Sequence, residues 1–125
     1  MFEGNDSEWR PATIAEVAEI VCEDLASCDP EQFAAYERYK VDPYPVPILR
    51  YGKLESVIVV AQNGVEVVYW EDVEDGFNIS PVSSEGQLLE HWCNQNELGL
   101  ALNAWIEGRP SPGKVGPATP VDLLQ

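Results

Sequence analysis

Asn63-Gly64 sits between two runs rich in β-branched residues, 54–62 and 65–70. Glycine takes positive φ without steric cost and asparagine tolerates it, so this pair between such runs marks a tight hairpin. The rest of the chain has to be arranged around that hairpin. A strand over 48–51 before Gly52 and another over 77–80 after Gly76 extend it into a meander. Residues 88–92 read equally as a last strand or as the lead into a helix.

Helical signals flank the meander. Thr13 with Glu16 three residues later has the capping-box form. Ile14, Val17, Val21 and Leu25 then recur on one face, predicting a helix over 14–27. Asp29, Pro30 and Gln32 open a second helix in the same way, with Phe33 and Tyr36 as its apolar contacts. It should end near Lys40, because Pro43, Pro45 and Pro47 follow. Asn94, with Glu97 three residues on, offers a cap for a last helix whose stripe is Leu98, Ala101, Leu102 and Trp105. Gly108 and Pro110 stop it.

The order predicts an α+β domain. Two N-terminal helices precede an antiparallel β-meander of about four strands, and one C-terminal helix packs on the sheet. This domain spans 1–108. Residues 109–125 form a Pro/Gly-rich tail, with 121–124 as a segment that docks. No strand–helix alternation supports a parallel, dinucleotide-binding sheet.

Charge narrows the function. The 125 residues carry 22 Asp and Glu against 7 Lys and Arg, a net −15. Binding to nucleic acid or anionic lipid by counterion release is excluded. Disorder is excluded by 45% hydrophobic residues with 4 Trp and 5 Tyr. A field of this sign speeds encounter with a basic protein. The acids spread over the whole chain, including Glu16, Glu19, Glu23 and Asp24 on the first helix. A broad face of this kind points to a protein partner or to mimicry of nucleic-acid charge. No signal sequence or membrane span is visible, and three cysteines (22, 28 and 93) without zinc spacing read as free thiols, so a cytoplasmic location is expected.

The densest acidic run is Glu71, Asp72, Glu74 and Asp75, flanked by Trp70 and Phe77. Aromatic anchors beside carboxylates suit a partner-binding edge that meets Arg or Lys, and these six residues are the candidate site. The alternative is a solvated turn. The spacing does not fit a calcium loop, and no metal or other cofactor is implied. His91 and Cys93 are the one place where a base and a nucleophile are close in sequence. No third group of such a constellation is visible, so the chain does not read as an enzyme. Tyr36, Tyr39, Tyr44 and Tyr51 surround the proline segment, either as a binding patch or as packing.

The segments VPILRYGKLESVIVVAQNGVEVVYWEDVEDGFNISP and GQLLEHWCNQNELGLALNAWI resemble small acidic immunity proteins encoded beside bacterial polymorphic and type VI secretion toxins. The likeness is to immunity proteins of deaminase-type toxins. It rests on a hairpin ending in Val68-Tyr69-Trp70-Glu71-Asp72 followed by a strand with Phe77, and covers roughly half of the chain. The three prolines and the tail have no counterpart in it. The resemblance implies a cytoplasmic inhibitor that occludes the basic active-site cleft of a cognate toxin. A phage anti-defence protein that mimics nucleic-acid charge is the alternative.

Overall fold

The computed structural model describes residues 12–50, 52–72, 75–92, 94–113 and 121–122. Helices α1 (Ile14–Leu25) and α2 (Pro30–Tyr39) lead into strands β1 (Lys40–Arg50), β2 (Lys53–Asn63), β3 (Glu66–Glu71) and β4 (Gly76–Pro81). A short helix α3 (Leu98–Leu102) continues as a 3-10 turn (Asn103–Trp105), and β5 (Val121–Asp122) comes last. The strands lie in the order β4-β3-β2-β1-β5, all antiparallel. The expected α+β class, the meander and the helix order hold.

Both early helices begin on full capping boxes, Thr13 with Glu16 and Asp29 with Gln32. Each satisfies two backbone donors that the first helical turn cannot pair internally. Two details of the apolar reading change. Ile14 and Phe33 are exposed, and α2 buries Ala35 instead. Phe33 and Ala35 are two residues apart, about 200° around the helix, so burying one turns the other outward.

The hairpin turn falls one residue later than Asn-Gly at its centre would place it. Asn63 pairs with Glu66, so the loop is Gly64–Val65, with positive φ (62°) at Gly64 only. Glycine first and an ordinary residue second is the type II′ pattern, whose twist also matches the strands.

The proline segment is strand, not a connection. β1 runs from Lys40 through Pro43, Pro45 and Pro47. Pro45 and Pro47 share one parity in the β1–β2 register, while Pro43 falls within the irregularity between Lys40 and Tyr44. The Pro47 carbonyl accepts from the Leu88 amide (3.0 Å), so this parity faces away from β2. In an antiparallel strand the N–H and C=O of a residue point the same way, so the missing N–H groups of Pro45 and Pro47 cost the β1–β2 ladder nothing.

Alternation along β2 and β3 divides the apolar residues between two cores. Ile58, Val60, Val68 and Trp70 join Val17, Val21, Leu98 and Leu102 under the helices. Val57, Val59, Val67 and Tyr69 join Val46, Ile48 and Leu88 on the opposite face. The sheet curls around this second core. The amides of Leu88 and Leu89 bond the carbonyls of Pro47 and Pro81, each at 3.0 Å. In a flat sheet of this register those two prolines would lie on the order of 25 Å apart, from strand spacing and rise. Adjacent amides can reach both only if β1 and β4 bend toward each other.

Residues 82–92 and 94–97 form a strap over the second core, which turns at 83–87 and is extended beyond it. This resolves the strand-or-helix ambiguity at 88–92: among the described residues the strap makes only isolated bridges, Val82 with Leu88 and Phe77 with Asn96. The last helix is shorter than its sequence stripe. Asn94 does not cap it. Glu97 stands at the cap position without a side-chain bond, and the Leu98 amide donates instead to Asp24 Oδ2 of α1 (2.9 Å). The early tail is held as well. Arg109 donates to Asp29 (2.7 Å) and Glu31 (2.5 Å), and β5 pairs with Leu49 and Arg50 of β1. Of the docking segment expected over 121–124, residues 123 and 124 lie outside the described residues. Among the described residues no helix is long and apolar enough to cross a membrane.

Candidate functional site

The structure divides the six candidate residues by strand parity. Trp70 and Phe77 are direct cross-strand partners on the helix-covered face. Their rings meet edge-on, centroids 5.0 Å apart at 65°, in the first core. Glu71 is next in β3, so its side chain turns to the strap side. It is fully buried there and hydrogen-bonds His91 Nε2 through Oε2, with His91 only 2% exposed. Asp72 is buried and accepts from the Ala12 amide (3.1 Å), tying the start of α1 to the sheet. Asp75 is exposed, in the left-handed region at φ 59°. Glu74 lies outside the described residues.

Neither the partner-binding edge nor the alternative of a solvated turn describes the buried members of this run. Trp70, Glu71, Asp72 and Phe77 are turned inward and hold the fold, and Asp75 is the described member that faces solvent. The physical reason is long-range pairing. The acids at 71 and 72 find an imidazole 20 residues later and an amide 60 residues earlier. Nothing in the local pattern announces either partner.

Those buried polar groups belong to a row of hooks that fastens the strap. The Trp92 amide donates to Tyr69 Oη (3.0 Å). Asn78 donates from Nδ2 to the Asn94 carbonyl (2.9 Å) and accepts from the Asn94 amide at Oδ1 (3.1 Å). Its side chain thereby imitates a paired strand residue. Ser80 Oγ accepts from the Glu90 amide (2.9 Å) and donates to the Pro81 carbonyl (2.7 Å). An extended strap cannot pair its backbone internally as a helix does, so buried amides need such partners. The fit beside Gly76 is close: a Cβ there would stand 2.3 Å from the Asn94 carbonyl oxygen. This position accepts no side chain.

Where the strap passes the β4 edge and α3 begins, a cleft of about 270 Å³ opens. Glu66 of β3 and Glu90 of the strap both line it, as do Trp92 and Asn96. Ile79, Ala101 and Ala104 supply apolar wall, and residues 111–113 close one side. Each carboxylate is oriented by an indole. Trp92 Nε1 donates to Glu90 Oε1 (2.7 Å) and Trp105 Nε1 donates to Glu66 Oε1 (3.0 Å). The Asn94 side-chain amide donates to the Gly113 carbonyl, which fixes the wall on the tail side. Among the described residues lining the cleft, none is Lys, Arg or His.

Sequence reasoning missed this cleft because its two acids, Glu66 and Glu90, are isolated in the chain. The available signal was partial: Trp92 stands two residues from Glu90, whereas Trp105 is 39 residues from Glu66.

The other candidates are less distinctive. His91 is engaged with Glu71, and Cys93 lies outside the described residues. The Cys28 thiol is pushed up by its burial and by Asp24, Asp29 and Glu97, the opposite of what an activated thiolate needs. Tyr36 and Tyr39 pack against the first core and Tyr44 against the second, while Tyr51 lies outside the described residues. Among the described residues no three His, Cys, Asp or Glu side chains gather to hold a metal ion. No protein-family model, curated protein or solved structure matches the chain.

Proposed function

We propose that this chain is a stoichiometric inhibitor of a basic protein, an immunity protein that binds a cognate bacterial toxin in the cytoplasm and blocks its active-site cleft. One observation carries the reading: the negative charge is left on the surface. Among the described side chains the cations are Arg38, Lys40, Lys53, Arg109 and the ionisable His91. Lys40 is paired with Glu37, and Arg109 with Asp29 and Glu31. Glu19, Glu23, Asp42, Asp75, Glu85, Glu97 and Glu107 stand exposed. Such a surface raises the rate of encounter with a basic protein and repels nucleic acid. The resemblance to acidic immunity proteins supports the same reading.

The buried acids dictate how to test it. Reversing Glu71 or Asp72 would challenge the fold rather than the interface. The informative variant changes Glu19, Glu23, Glu85 and Glu97 to Lys. Co-expressed with the product of a neighbouring toxin gene, the wild-type chain should protect cells and form a complex that weakens as salt rises. The variant should protect less and show a shallower salt dependence. Equal protection and an equal salt slope would overturn the electrostatic reading.

A further inference from the structure

We infer that a shallow groove between α2 and the 3-10 turn seats a carboxylate side chain of the basic partner; this rests on, and makes specific, the reading above. Helix α2 contributes Glu31, Ala34, Ala35 and Arg38, which recur at helical spacing and so share one face. Trp105 and Ile106 supply apolar wall after α3. The two alanines leave the space that larger side chains would fill. The volume of about 240 Å³ is below the range of about 300–1,000 Å³ that holds drug-sized ligands, and suits a side chain.

Charge selects the occupant. Among the described cations, Lys40, Arg109 and His91 have carboxylate partners, whereas Arg38 and Lys53 have none. Arg38 is the one that lines this groove. The acid beside it, Glu31, is taken by Arg109 (2.5 Å). The Arg38 guanidinium lies over the Tyr39 ring, 5.3 Å from its centroid. An aromatic face holds the cation without using its N–H donors, which stay open to a carboxylate. Tyr39 in turn meets Trp105 edge-on at 5.2 Å, and Trp105 is fixed through Nε1 by Glu66 (3.0 Å). Arg, Tyr and Trp are the residue types in which interface binding energy concentrates. The acidic surface elsewhere repels a partner's carboxylates, so one that docks on Arg38 also sets the orientation of the complex.

The test uses the intact chain and the purified product of a neighbouring toxin gene, with affinity read by titration calorimetry. Ala34, Arg38 and Lys53 are exposed, so variants there keep the fold. Arg38→Glu makes the chain more acidic, and general attraction to a basic protein would then tighten binding. A carboxylate seated on Arg38 requires the opposite, binding at least tenfold weaker. Lys53→Glu makes the same charge change at a residue that does not line the groove, and should not weaken binding. Ala34→Trp fills the groove without altering charge and should also weaken binding at least tenfold. Among partner variants with a single Asp or Glu changed to Lys, one should restore binding to Arg38→Glu. Unchanged or tighter binding by Arg38→Glu, unchanged binding by Ala34→Trp, an equal loss with Lys53→Glu, or no restoring partner variant would each overturn the inference and leave the inhibitor reading standing. A wild-type chain that binds no such product overturns the inhibitor reading itself, and the role of the groove with it.

Discussion

The two faces of the sheet are covered by different means. On one face α1, α2 and α3 bring apolar side chains to Val60, Val68, Trp70 and Phe77, and their backbones pair internally except at the capped ends. On the other, an extended strap contributes Leu88 to the core and is held by Tyr69, Glu71, Asn78 and Ser80. A helix arrives with its hydrogen bonds made, whereas a strap must find them on the surface it covers. Burial alone can hold the first face, but the second requires polar groups in the interior. The curl of the sheet follows from the same need, since the strap also bonds the carbonyls of Pro47 in β1 and Pro81 in β4, which β2 and β3 separate in the sheet order.

The largest expected effect comes from cutting the buried pair. Glu71→Ala leaves His91 enclosed without its carboxylate and should cost about 3–5 kcal/mol in urea unfolding. Replacing Glu71 and His91 together by Leu should recover much of that loss, because neither polar side chain is then buried without the other. A loss under about 1 kcal/mol for Glu71→Ala would mean that the strap does not depend on its polar hooks.

Truncating one apolar residue on each face compares the faces directly. Leu102→Ala and Leu88→Ala should each cost about 2–5 kcal/mol, since both side chains are fully buried. Their local signatures should differ. Leu102→Ala should lower protection across the domain together. Leu88→Ala should in addition raise amide exchange at 88–96 above that of α1 and α2. Uniform loss of protection in both variants would make the strap one cooperative unit with the helices.

Asn78→Ala is the next smaller test. It removes both bonds to the Asn94 backbone and leaves that amide and carbonyl to be resolvated, for about 2 kcal/mol. Exchange of the Asn94 amide should accelerate at least tenfold while α1 keeps its protection. Unchanged exchange at Asn94 would show that the β4 edge is closed by packing alone.

This contrast also decides what the sequence could reveal. The helix-covered face was legible because its signals are local: Thr13 with Glu16, Asp29 with Gln32, and the period of Val17 and Val21. The hairpin was legible from Asn63-Gly64, although the turn settled on Gly64–Val65. The strap was not, because its determinants are pairs across 10 to 23 residues, such as Ser80 with Glu90, Asn78 with Asn94 and Tyr69 with Trp92. The acidic run misled for the same reason. Solvation is the usual fate of adjacent carboxylates, and only tertiary pairing shows that Glu71 and Asp72 are internal. Likewise Pro43, Pro45 and Pro47 read as a break, whereas Pro45 and Pro47 turn their backbone away from β2 and Pro43 falls where the register shifts.

The smallest effect sits on the helical side, where the polar tie is at the surface. Arg109 joins the chain after α3 to Asp29 and Glu31 at the start of α2. The Arg109 side chain, and then the Gln32 backbone amide, hold the Asp29 carboxyl below the usual aspartate range. A carboxylate lowered on folding stabilises above its unfolded value, about 3.9, and loses that contribution as the pH falls through its native value. Stability should therefore decline between about pH 5 and pH 2, and Arg109→Ala should flatten that decline without abolishing it, since the Gln32 amide remains. Both the stabilisation and its pH dependence should shrink in high salt, because the pair is solvent-accessible. Urea midpoints of the two proteins across this range, at low and high salt, measure the difference. Identical slopes at low salt would show that the Arg109 tie does not set the acid sensitivity, and that the helical side is held by burial rather than by this surface pair.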